Sequence, residues 1–63
     1  MTPEKFKQET GYELEKTKPM YDLQEYRLIA DDSLYSIFSK IEYVRSQEDF
    51  KVEIHDNDVY VYF

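Results

Sequence analysis

The chain contains no cysteine and no tryptophan, only one glycine, two prolines and one histidine. Without cysteine there is no disulfide staple, no thiolate metal site and no Cys–His nucleophile, and nothing argues for an oxidising compartment. A single glycine excludes the glycine-rich loops that cradle phosphate. A Ser–His–Asp arrangement would have to use His55, at the edge of a turn. No apolar run approaches the length of a membrane span, and the start lacks the basic-then-apolar order of a signal peptide. These absences lead to the expectation of a soluble, cytoplasmic, non-enzymatic protein with no cofactor, no metal, no catalytic residue and no membrane contact.

What is present is a chain of 63 residues rich in aromatics, with seven tyrosines and four phenylalanines. That length implies a single domain, 1–63, near the lower limit for a self-sufficient core. Unstapled domains of this size depend on dense packing or on a partner subunit. The net charge of −6 is unevenly placed: residues 1–18 carry four lysines against four glutamates, and residues 19–63 carry four basic against ten acidic groups. The first segment is neutral and the second holds the whole charge. Such a field repels a phosphate backbone and attracts basic surfaces, which disfavours nucleic acid as a partner and suits a basic protein.

The organising stretch is Phe50 to Phe63, two period-two apolar runs around a polar turn. A two-residue loop at Asp56-Asn57 pairs Ile54 with Val59, Val52 with Val61 and Phe50 with Phe63, putting every apolar residue on one face. A three-residue loop splits that set, so burial selects the first register. The turn requires positive φ, which Asn57 tolerates better than Asp56.

Upstream, Thr2-Pro3-Glu4 is a helix start and Gly11 a helix stop, predicting a short helix over residues 3–10 with Phe6 its only large apolar anchor and a weak dock. Tyr12 lies past the cap, placed to fold back on Phe6. Residues 12–20 read as a connection that Tyr12 and Leu14 pin to the core. Residues 25–30 read as a strand, with a helix sharing Met20, Leu23, Tyr26 and Ala30 as the alternative. Asp31 and Asp32 are the expected caps of an amphipathic helix over residues 33–46, whose stripe is Leu34, Ile37, Phe38, Ile41 and Val44, with Arg45 beside it and Tyr43 opposite. The fold class expected is α+β: one long amphipathic helix on one face of a two- or three-stranded antiparallel sheet ending in the C-terminal hairpin, plus a short N-terminal helix.

Two clusters invite a chemical reading. His55-Asp56-Asn57-Asp58 holds potential metal ligands but meets no zinc or EF-hand spacing; it reads as a turn with Asp58 across from His55. The tyrosines are more informative. The hairpin's second face carries Lys51 opposite Tyr62 and Glu53 opposite Tyr60. Aromatics on an uncovered sheet stack bases in RNA-binding proteins, and they anchor protein interfaces. The acidic surroundings favour protein. The candidate partner-binding residues are therefore Tyr60, Tyr62, Glu53 and Lys51, with Glu48 as an acidic rim charge and Tyr43 as a separate site on the helix.

In composition the chain resembles the short, acidic, tyrosine-rich, cysteine-free proteins with which bacteriophages bind and inhibit host enzymes, a likeness carried by no motif. It orders the functional expectations. First comes an interaction module that modulates a protein partner, plausibly a basic or nucleic-acid-handling one. A homo-oligomer using its sheet face or edge is second, and a single-stranded nucleic-acid binder third.

Overall fold

A computed structural model describes residues 1–63. The order is α1 (Pro3–Thr10), β1 (Glu13–Met20), β2 (Leu23–Ile29), α2 (Leu34–Arg45), β3 (Lys51–His55) and β4 (Asp58–Tyr62). The strands form one sheet in the order β1-β2-β4-β3, each neighbour pair antiparallel. Because β2 and β3 both run against β4, they are parallel to each other. Parallel strands need a long crossover, and α2 supplies it, with β4 slotted between the two strands it joins. No helix is long and apolar enough to cross a membrane.

The C-terminal hairpin has the expected register: Ile54 faces Val59, Val52 faces Val61, Glu53 faces Tyr60 and Lys51 faces Tyr62. Both turn residues are left-handed, Asp56 at φ 52° and Asn57 at φ 69°, the pattern whose twist matches the flanking strands. The Phe50 and Phe63 rings meet edge-on at 6.0 Å. Ile54 departs from expectation. It points to the helix side but lies on the outermost strand, 45% exposed.

The sheet has four strands rather than two or three. Residues 12–20, expected to be a connection, supply β1, which pairs with β2 from Glu13–Ile29 to Met20–Leu23. Charges at four of its eight positions hid the alternation that Tyr12 and Leu14 begin. Pro19 is tolerated because β1 is an edge strand with a register shift between Lys16 and Pro19. The stretch read as strand over residues 25–30 is strand and not helix, with β2 starting two residues earlier and ending one residue sooner, at Leu23–Ile29.

The helix α1 has the predicted limits and caps. Thr2 Oγ1 accepts from the Lys5 amide at 3.2 Å, and Gly11, at φ 82°, donates its N–H to the Lys7 carbonyl at 2.7 Å. Its expected weak docking is overturned. Phe6 is fully buried, 6.0 Å from the Phe50 ring and 6.3 Å from that of Phe63. One large side chain suffices because it enters the centre of the core rather than its rim. Thr10 fastens the helix end: its hydroxyl donates to the Phe6 carbonyl at 2.8 Å and accepts from the Tyr12 amide at 3.1 Å.

The second helix is one residue shorter at each end than predicted, and its cap differs. Ser33, not Asp31 or Asp32, accepts from the Ser36 amide at 3.3 Å, because it alone directly precedes the first helical residue. Asp32 instead accepts a 2.6 Å hydrogen bond from the Tyr12 hydroxyl, with the Lys40 ammonium 3.7 Å away and above the Tyr12 ring. Arg45 turns out to solvent and pairs with Glu42 at 3.1 Å. From the stripe, Ile37, Ile41 and Val44 are buried, packed with Phe6 and with Leu28, Val59 and Val61 of the sheet. Both helices thus contribute to one core on one face of the sheet, and no helix covers the other face.

Candidate functional site: the uncovered sheet face

Strand alternation decides what this face shows. Across the sheet, one row reads Glu15, Arg27, Tyr60, Glu53. The next holds Glu25, Tyr62 and Lys51, with Thr17 hydrogen-bonded to Glu25 at its β1 end. The same alternation puts Leu23 and Ile29 of β2 here, 41% and 47% exposed, with Glu13 across from Ile29.

The rows are tied together by polar contacts. Arg27 contacts the Glu15 carboxylate through Nε at 2.9 Å and an outer nitrogen at 2.7 Å, and its other outer nitrogen lies 4.0 Å from Asp58. Glu53 is bracketed by the Lys51 ammonium at 3.0 Å and His55 Nε2 at 3.1 Å. Hydrogen bonds from those two neighbours hold its carboxyl below the ordinary carboxylate range. His55 lies across from Asp58 as read, while its ring nitrogen reaches Glu53, two residues back on its own strand face.

Glu25 is the least expected member. It is 7% exposed although no helix lies above it. Its two oxygens accept from the Thr17 hydroxyl at 2.7 Å and the Tyr62 hydroxyl at 2.7 Å. Those donors, Thr17 first, hold its carboxyl below the usual range. Such a group is a fixed anion, the reverse of the raised carboxyl that general-acid chemistry uses.

Tyr62 is correspondingly unlike the exposed anchor that the sequence suggested. It is 4% exposed, its ring lies under the Lys51 ammonium, and its hydroxyl is committed to Glu25. Burial, then the Glu25 carboxylate, push its phenol up to about 12. A raised pKa stabilises the fold below the unfolded value, near 10, and that contribution is lost as pH rises toward 12. The stability gap between the native protein and Tyr62→Phe, measured by urea unfolding, is therefore expected to shrink as pH rises from 10. A gap that stays constant to pH 12 would refute the bond between Tyr62 and Glu25 as its source.

Of the other candidates, Tyr60 stays half-exposed between Arg27 and Glu53, with the His55 ring 5.6 Å away. Tyr43 stands on the outer side of α2, 65% exposed, far from this group as expected. Glu48 is not part of the rim. It follows α2 and binds the Lys5 ammonium of α1, and that contact holds its carboxyl below the usual range. Glu15 and Thr17 were missed because β1 was not read as a strand, with Glu13, Glu15 and Thr17 at period two the available signal; Glu25 and Arg27 were missed because β2, though read as a strand, had no partner that fixed which face they share. No three histidine, aspartate or glutamate side chains converge where a metal could be held. No family model, curated protein or solved structure matches the chain.

Proposed function

We propose that this chain is a non-enzymatic interaction module whose uncovered sheet face docks on a basic surface of another protein and modulates it. The observation that supports the reading is the composition of that face. Tyr60 is half-exposed, Ile29 and Leu23 are more open still at the two ends of β2, and carboxylates outnumber cations over the face: Glu13, Glu15, Glu25, Glu53 and Asp58 against Arg27, Lys51 and Lys18, whose charge reaches Glu25. Aromatic and aliphatic side chains inside a charged rim are what protein interfaces use, the apolar centre for affinity and the rim for steering. The ion pairs within the face preorganise its side chains, lowering the entropy lost on docking.

Tyr62 and Lys51 act here as supports, not anchors. Tyr60 is the anchor, and Glu53 is positioned beside it. The exposed tyrosines of α2, Tyr35 and Tyr43, are single apolar side chains among polar neighbours, an ordinary feature of surfaces.

The test compares affinity capture from the native cell, then calorimetry on the recovered partner, for three forms of the protein. Tyr60→Ala should lose about 1–2 kcal/mol or more of binding while remaining folded, whereas Tyr43→Ala should bind as the native protein does. Association should also slow as salt is added. If Tyr43→Ala loses binding and Tyr60→Ala keeps it, the partner sits on the helix and the reading fails.

A further inference from the structure

The two edges of the sheet are treated differently. The β1 edge carries Lys16, Lys18, Pro19 and a register shift, all devices that discourage another strand from adding. The β3 edge has no proline and no irregularity, and its Ile54 is 45% exposed. In a two-residue hairpin the pair next to the turn exchanges both hydrogen bonds, here His55 with Asp58, and pairs alternate from there. Glu53 and Lys51 therefore spend their backbone groups on β4. Val52 and Ile54 turn their N–H and C=O groups outward, to the free edge.

We infer that β3 pairs antiparallel with β3 of a second copy of this chain, in the register that sets Val52 opposite Val52. Three features select that register and that occupant. First, Val52 and Ile54 then form hydrogen-bonded pairs with Val52 and Phe50 of the second copy, using the outward backbone groups. Second, exposed Ile54 falls opposite Phe50 of the second copy on the helix side, where it can cover only the rim of a ring that is 5% exposed in its own core. Third, Lys51 falls opposite Glu53 of the second copy, twice by symmetry, in non-hydrogen-bonded positions where Cα atoms approach to about 4.5 Å and opposite charges help most. A shift by two residues toward the turn sets Glu53 against Glu53 and is disfavoured. Lys51 and Glu53, 3.0 Å apart within one chain, already sit at the edge as a self-complementary pair.

The two-fold axis of such a dimer is perpendicular to the sheet. Both helix layers fall on one side, and the two uncovered faces join into one face of an eight-stranded sheet. Edge pairing buries little area, so the dimer is a weak one that forms with concentration.

The inference goes beyond the docking reading, and its test uses the purified protein alone, so either can fail without the other. Sedimentation equilibrium should show a mass rising from 7.7 kDa toward twice that value as concentration approaches about 1 mM. Lys51→Glu or Glu53→Lys, each placing like charges opposite one another twice, should weaken association at least about tenfold. The double reversal, Lys51→Glu with Glu53→Lys, should restore it to within about threefold. Ile54→Lys, at a side chain already half in water, should abolish it with the fold intact by circular dichroism. A native protein that stays at 7.7 kDa throughout overturns the inference. So does a folded single reversal or Ile54→Lys that associates as before, or a folded double reversal that fails to recover.

Discussion

Replacing Phe6 with alanine is expected to unfold the protein at room temperature. The ring is fully buried, and removing it leaves a void that neither Phe50 nor Phe63 can fill without leaving its own contacts. Truncating a buried phenylalanine costs about 3–5 kcal/mol. A single core of this size supplies little more than about 3–5 kcal/mol of net stability, so the loss is of the same order as the whole. The same reasoning makes residues 1–10 indispensable, against the weak dock expected of their helix. Phe6 leaves with them, as does the Lys5 contact to Glu48 that ties α1 to the loop behind α2. Circular dichroism and urea titration should show a non-cooperative chain for both Phe6→Ala and the truncation. A Phe6→Ala protein with a native-like midpoint would mean that α1 does not enter the core.

Ile41→Ala is expected to be nearly as damaging, at about 2–5 kcal/mol. Ile41 is fully buried at the middle of the α2 stripe and packs toward Val61, itself fully buried on the central strand β4. Val61→Ala removes fewer atoms and should cost less. A stability change within error for Ile41→Ala, by the same urea titration, would mean that this stripe does not face the sheet.

The contrast between Ile41 and Tyr62 shows what was legible in the sequence and what was not. The α2 stripe and the hairpin register follow from spacing alone, because each is a local period read against a single buried face. The α1 boundaries follow from Thr2, Pro3 and Gly11 for the same local reason. Three features depend on neighbours distant in sequence, and spacing could not reveal them. Phe6 gains its importance from Phe50 and Phe63. Tyr62 is held down by Glu25, 37 residues away, which accepts a hydrogen bond from its hydroxyl, and by Lys51, which lies over its ring. β1, charged at half of its positions, is a strand because β2 offers it an edge, so tertiary pairing outweighs a weak local preference.

The uncovered face was legible in half. The sequence placed Tyr60, Tyr62, Glu53 and Lys51 on one side of the hairpin, which is where they lie. It could not separate a half-exposed tyrosine from one locked beneath its neighbours. That distinction shifts the proposed anchor from two tyrosines to Tyr60, with Ile29 of β2 one face position beyond its cross-strand neighbour Arg27 and Leu23 at the other end of that strand.

The sheet face opposite the helices is the surface proposed to meet a partner. Amide and aromatic NMR shifts of the labelled protein, recorded with and without the captured partner, test this directly. The expected changes gather on Tyr60, Arg27, Ile29 and Glu15, while Tyr35 and Tyr43 on α2 stay in place. Changes confined to Tyr35, Tyr43 and their turn of helix, with Tyr60 and Arg27 unmoved, would contradict it.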